Sequence, residues 1–250
     1  MTGFQALVLA GSRGGPDPVA DYAGVSHKAL IMLGGRSLLQ RVIGALTAAG
    51  ATRIGVMTDD PAVRAALVGL PVEALDAAAS PSRSVRQGAE ALGTPLLVTT
   101  VDHALLQPDW VRRFLEDVPA DVDIAALLAR QPVVEAAAPG AKRTYLRFAD
   151  GRRSGCNMFY LANDRALAAV DLWRRVEAER KRPWKIAGLL GPDILLRYAT
   201  GRLSLAGAVA RIGKLAGVTA AAVETPYGLA AVDVDKPADL DLVRAIVEGA

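Results

Sequence analysis

Near the start of the chain, Phe4 to Ala10 (FQALVLA) is an almost unbroken apolar run. It passes straight into Gly11 to Pro18 (GSRGGPDP), which sustains neither helix nor strand. A run apolar on both faces reads as a strand buried on both sides, the type found in parallel sheets. The Gly- and Pro-rich segment is then a loop at its carboxyl end. This pair constrains the fold more than any other feature. Parallel strands cannot be joined by tight hairpins, so crossover helices must follow.

The rest of the sequence supplies them. Ser37 to Ala49 (SLLQRVIGALTAA) has helical apolar spacing, with Ser37 placed as N-cap and Gly50 as the stop. Arg53 to Thr58 reads as the second strand, and Pro61 to Leu67 as a short helix with Pro in its first turn. Ser82 to Leu92 is helical, Pro95 to Thr100 is a central strand, and Pro108 to Asp117 is helical. Asp123 to Leu128 reads as a strand and Pro132 to Gly140 as a loop or distorted strand. Tyr145 to Phe148 and Asn157 to Leu161 read as strands flanking a turn at Asp150-Gly151. Arg165 to Lys181 is expected to be a long helix, and Pro192 to Gly217 two more. Ala220 to Glu224 and Ala230 to Val234 read as short strands, and Pro237 to Glu248 as a closing helix. Alternating strands and helices predict an α/β fold with a mostly parallel sheet. No linker or internal repeat divides the chain, so one domain over residues 1–250 is expected.

Composition narrows the function. Hydrophobic residues make up 52% and charged residues 22%, a globular balance. No apolar run reaches the roughly 18 residues of a membrane helix, and the first ten residues lack the basic start of a signal peptide. One cysteine, Cys156, excludes a disulfide framework, and its scarcity fits a cytoplasmic setting. Two histidines, His27 and His103, argue against a histidine-based metal cluster. A metal here would be hard, held by carboxylates and phosphates, as Mg²⁺ is. The net charge of +3 suits phosphate-rich ligands. Aromatics at 5% supply few stacking platforms, so nucleic acid is not expected as a partner.

Five segments carry candidate chemistry. The first is the loop Leu9-Ala10-Gly11-Ser12-Arg13-Gly14-Gly15, whose glycines let backbone N–H groups approach phosphate and whose Arg13 adds a cation. Its glycines match neither the dinucleotide fingerprint nor the P-loop. The second is Lys28, in His27-Lys28-Ala29-Leu30, followed by Gly34-Gly35-Arg36-Ser37-Leu38-Leu39. The third is Ser80-Pro81-Ser82-Arg83-Ser84-Val85, a helix start. The fourth is Leu97-Val98-Thr99-Thr100-Val101-Asp102, an apolar strand delivering a carboxylate at its end. The fifth is Val232-Asp233-Val234-Asp235-Lys236-Pro237, where two carboxylates alternate as if on one face of a strand. Asp239 just beyond it suits a helix N-terminus.

Taken in order, these segments resemble the MobA-like nucleotidyltransferases, a superfamily of guanylyl- and cytidylyltransferases. The family pattern is a Gly-rich loop, a Pro-Lys pair, and a helix opening on Leu-Leu. The segment between loop and Lys28 is longer here, and His27 replaces the usual Pro. The resemblance implies a Rossmann-like, GT-A-type three-layer sandwich. It implies an NTP held by Ala10, Gly11, Ser12, Gly14 and Gly15, with Lys28 and Arg13 at the reacting phosphate. It places Arg83 and Ser84 near the base, tilting the expectation to CTP over GTP. It makes Asp102 a Mg²⁺ ligand, joined by Asp235 or Asp233, with Asp235 favoured. Ser154-Gly155-Cys156-Asn157 resembles an acceptor-facing segment, which makes Asn157, Arg147 and Arg152 candidate contacts to a phosphorylated small acceptor. A glycosyltransferase is the alternative, disfavoured because Val101-Asp102-His103-Ala104 lacks a second Asp; a non-catalytic nucleotide-binding module is another. The acid-free stretch Ile194 to Val223, with Arg197, Arg202, Arg211 and Lys214, offers a surface for an anionic membrane or a membrane-bound partner. A solvated basic helix face is the simpler reading of it.

Overall fold

A computed structural model describes residues 3–12, 15–179, 188 and 191–249. The first strand, β1 (Phe4–Leu9), lies inside one sheet, with strands on both sides. On one side it pairs in parallel with β4 (Ala51–Thr58), which pairs in parallel with β5 (Glu73–Asp76). Two short strands, β2 (Met32–Leu33) and β3 (Arg36–Ser37), form a separate ribbon. On its other side β1 pairs in parallel with β6 (Leu96–Thr100). Beyond β6 lies β9 (Gly151–Leu161), antiparallel to both β6 and β7 (Ile124–Arg130). The edge strand β10 (Ala220–Thr225) runs parallel to β7, and β8 (Leu146–Phe148) forms a hairpin with β9. The sheet is therefore mostly parallel, with one reversed strand inside it.

Helices cover both faces because β1 is apolar on both. Ala6 and Val8 pack with Val42 and Leu46 of α2 (Leu38–Ala49) and Phe114 of α5 (Pro108–Asp117). Leu7, on the opposite face, packs with Val85 and Leu92 of α4 (Pro81–Leu92) and Val170 of α7 (Leu167–Ala178). Ser37 caps α2 as expected, accepting from the Gln40 N–H while the Gln40 side chain accepts from the Ser37 N–H. Pro61 opens α3 (Pro61–Ala66), capped by Asp60. A third cluster joins Val19 of α1 (Pro18–Ala23), Leu33 of β2, and Leu240 and Val243 of the closing helix Pro237–Glu248. It ties the end of the chain to the segment around Lys28.

Several expectations change. Pro132 to Gly140 is not a loop or strand: α6 (Gln131–Ala137) occupies most of it. Proline is tolerated in a helix's first turn, where its missing N–H has no intrahelical partner. Ala230 to Val234 is not a strand. Gly228–Ala231 forms a 3₁₀ turn, and residues 232–235 are irregular, held by the Val234 N–H donating to the Asp102 carbonyl at 3.0 Å. The ribbon β2–β3 falls where the sequence shows no strand pattern; Gly34 and Gly35, at φ of 56° and 76°, form its two-residue turn. Arg165 to Lys181 divides into a 3₁₀ turn, Asp164–Ala166, and α7, while Arg180 and Lys181 lie outside the described residues. Pro192 to Gly217 does form two helices, α8 (Pro192–Ala199) and α9 (Leu205–Ala216). They leave Leu196 and Ile212 exposed. The helix Pro237–Glu248 becomes α10. No helix among the described residues is long and apolar enough to cross a membrane.

Candidate active site

The carboxyl ends of β4, β1 and β6 lie side by side, which is where ligands bind in open α/β sheets. The Val101 N–H donates to the Leu9 carbonyl at 3.0 Å. The Gly-rich loop and Asp102 thus leave the same edge of the sheet from adjacent strands. Ala10 is buried, and a Cβ at Gly11 would meet that of Ala77 at 3.0 Å. Any larger residue at Gly11 would have to push Ala77 aside by a few tenths of an ångström. Ser12 donates its N–H (2.9 Å) and its hydroxyl (3.0 Å) to the Asp59 carboxylate at the end of β4. Burial works against the charge of Asp59, but those two bonds outweigh it and hold the carboxyl below its usual range. Gly15 is exposed; Arg13 and Gly14 lie outside the described residues.

Lys28 opens a 3₁₀ turn, Lys28–Leu30, capped by the buried His27, whose Nδ1 accepts from the Ala29 N–H at 3.0 Å. The Lys28 Nζ lies 2.5 Å from Asp102 Oδ2 and 3.5 Å from Asp235 Oδ1. Two carboxylates from distant parts of the chain therefore meet at one ammonium. The other Asp102 oxygen accepts from the Thr100 hydroxyl. Burial disfavours both charges, yet each stabilises the other. Asp102 and then Asp235 hold Lys28 above the ordinary lysine range, and Lys28 and then Thr100 hold Asp102 below the ordinary carboxylate range. The pair stays ionised across neutral pH.

Asp233 turns elsewhere. Its Oδ1 pairs with Arg143 Nη2, and its Oδ2 accepts from the Asn157 amide at 2.6 Å. Burial raises its pKa against the pull of Arg143. The idea that Asp233 and Asp235 share a strand face fails with the strand itself; the irregular backbone sends them to different partners. Asn157 sits at φ 47°, beside an irregularity in the β7–β9 register. Asparagine tolerates this left-handed conformation better than most residues. The irregularity aims its side chain at the site.

The remaining residues lie apart. Ser84 is buried and accepts from the Ala78 N–H at 2.9 Å, bracing the segment that abuts Gly11. Arg83 faces outward and lines an open groove with Arg86, Gln87, Glu90 and Arg174. Arg147 and Arg152 are exposed and directly opposite one another on the β8–β9 hairpin. Like charges so placed repel, and an anion would relieve them.

Reading the sequence missed Asp59, Thr100 and Arg143. Asp59 stands at a strand's carboxyl end, a position that could have flagged it; Arg143 lies in an irregular segment without periodic signal.

Among the described residues no three carboxylate, imidazole or thiol groups form a ready-made metal cage. Mg²⁺ commonly takes only one or two carboxylates and completes its shell with water and substrate phosphates. Asp102 and Asp235 already converge on a cation. Around them four carboxylates (Asp102, Asp233, Asp235, Asp239) face two cationic side chains, Lys28 and Arg143. The excess negative charge fits a divalent ion.

His103, next to Asp102, is fully buried, and burial pushes its pKa down to about 4. The unfolded chain therefore binds a proton at higher pH than the native one. Stability from this group is present above about pH 6.5 and is lost as pH falls toward 4, roughly 3 kcal/mol over the span. Urea unfolding between pH 7 and pH 4.5 should show a shallower loss for His103→Gln than for the wild type. Parallel losses would mean that His103 does not titrate with unfolding.

A Gly-rich loop, a paired lysine and two convergent carboxylates meet where ligands bind in open α/β sheets. The chain belongs to the family of MobA-like NTP transferase domains, whose model matches residues 6–176. It is a nucleotidyltransferase. A hypothetical transferase from Thermus thermophilus is similar at 36% identity and a TM-score of 0.84, over 96% of this chain and 100% of that one. A nucleotidyl transferase from Methanothermobacter thermautotroptrophicus is similar in fold at 19% identity and a TM-score of 0.57, over 98% and 97% of the two chains. The 2-C-methyl-D-erythritol 4-phosphate cytidylyltransferase from Thermus thermophilus is similar in fold at 19% identity and a TM-score of 0.54, over 99% and 100%. No curated protein matches the chain.

Proposed function

We propose that this nucleotidyltransferase moves a nucleoside monophosphate from an NTP, CTP in preference to GTP, to a small phosphorylated acceptor. The observation that carries the reading is the Lys28 ammonium between Asp102 and Asp235, beside the Gly-rich loop. An oxygen of the acceptor phosphate attacks the α-phosphorus in line. The new P–O bond forms as the α–β bridging bond breaks, and pyrophosphate leaves with that electron pair.

The chain's own residues position the reactants and offset charge. Gly11 keeps the loop backbone close to the phosphates. The Ser12 N–H and hydroxyl exchange Asp59 for a phosphate oxygen when the nucleotide enters. Arg13 and Lys28 neutralise the triphosphate. Asp102 and Asp235 would hold Mg²⁺, which when bound supplies further charge neutralisation at the phosphates. The preference for CTP rests on the Ala78–Ser84 segment packed against the loop and on the cytidylyltransferase of similar fold. Asn157, Arg147 and Arg152 are proposed to receive the acceptor's phosphate.

A thermal-shift comparison of the four NTPs with Mg²⁺ tests the nucleotide. Ligand at 100 times its Kd stabilises by about 2.7 kcal/mol, a shift of several degrees. CTP should give the largest rise, and pyrophosphate should appear when phosphorylated polyols or sugars are added. A flat response to all four nucleotides would overturn the reading. A larger rise with GTP would reverse only the base preference.

A further inference from the structure

Asp235 is the least supported member of the site. Its side chain is 57% exposed and its ion pair is with Lys28, while residues 232–235 form no regular element. Its place is set by what grips the backbone around it. On one side, Asp233 is held by Arg143 and Asn157. On the other, Asp239 in the first turn of α10 accepts the N–H groups of Asp235 (3.2 Å) and Lys236 (2.9 Å) through Oδ2. Arg143 reaches both sides. Nη2 pairs with Asp233, Nη1 donates to the Asp233 carbonyl at 3.4 Å, and Nη1 lies 3.8 Å from Asp239 Oδ1. The Arg143 side chain is only 10% exposed, as buried as the carboxylates it serves.

We propose that Arg143 is a positioning residue, a clamp on Asp233 and Asp239 that holds Asp235 opposite Asp102. The planar fork of a guanidinium can span two carboxylates and a carbonyl at once, which a lysine ammonium cannot. Removing it leaves the buried Asp233 with Asn157 alone, so its carboxyl must take up a proton or turn out to water, and either change loosens the grip on the closing loop. Asn157, aimed by the β9 irregularity, holds the second Asp233 oxygen and completes the clamp. The inference rests on the proposed function only in giving Asp235 a metal to hold; the clamp exists in the free protein.

The test follows from that separation. In protein free of metal and nucleotide, hydrogen exchange of the Asp235 and Lys236 amides reports the loop directly. Arg143→Met should speed their exchange about tenfold or more while core amides of β1 keep their protection. Arg143→Met combined with Asp233→Asn carries no unpaired buried charge and should recover most of the protection; Arg143→Lys should fall between. If Arg143→Met fails to fold, the lysine and double variants carry the same comparison. In the loaded enzyme, the Mg²⁺ needed for half-maximal turnover should rise about tenfold or more for Arg143→Met, with little change in KM for the NTP. Unchanged exchange at Asp235 and Lys236 overturns the clamp. Altered exchange with no metal dependence in any form supports the clamp and counts against the metal reading instead.

Discussion

Lys28→Ala should lower turnover by about 10²-fold or more while NTP binding weakens much less. In the proposed reaction the ammonium would face charge that grows as pyrophosphate departs, so its contribution would be larger in the transition state than in the bound substrate. The pairing with Asp102 and Asp235 sharpens this expectation. Lys28 is 21% exposed in its side chain and stays protonated with both carboxylates beside it. Arginine should rescue little, because a planar fork does not fit where a compact ammonium meets two carboxylates. Single-turnover kinetics with the preferred NTP separate the two effects. Near wild-type turnover in Lys28→Ala would reduce Lys28 to a structural counter-ion.

Asp102→Ala should be worse, because it acts on chemistry and on fold together. Turnover should fall by about 10²–10³-fold. Stability should fall by about 3 kcal/mol, the lower end for breaking a buried ion pair, since the Lys28 ammonium then keeps only the exposed Asp235. The sign of the pH dependence follows from the pair. Asp102 is depressed, so its contribution is present above the usual carboxylate pKa and is lost as pH falls through its folded value. Lys28 is raised, so its contribution is full below the ordinary lysine pKa and is lost as pH rises through its folded value. Denaturant midpoints for wild type and variant should therefore differ most at neutral pH and converge toward strong acid. A difference that persists unchanged at strong acid would point to packing rather than charge.

The parallel strands were legible because β1, β4 and β6 are buried on both sides, and burial on both sides writes a continuous apolar run. Helix α2 was legible for a similar reason: its stripe, cap and stop agree. The strand-end rule then predicted that the Gly-rich loop and Asp102 would share an edge, as they do. Helix α6 was not legible, because its alanines and single buried Val134 give no clear stripe. The segment around Asp233 misled by alternating like a strand. Its backbone hydrogen bonds are met instead by the Asp102 carbonyl and the Asp239 carboxylate, partners that no alternating pattern reports. Arg143 was invisible for the same reason. Its role exists only once the chain from α6 to β8 has been laid against the start of α10.

Lys28 and Asp235 are separated by most of the sequence, yet they meet at one ammonium. The segment that brings Asp235 also brings Leu240 and Val243 of α10, which pack with Leu33 of β2 in one apolar cluster. Closing that cluster and seating Asp235 at Lys28 are therefore the same event, so whatever loosens α10 also loosens the second carboxylate.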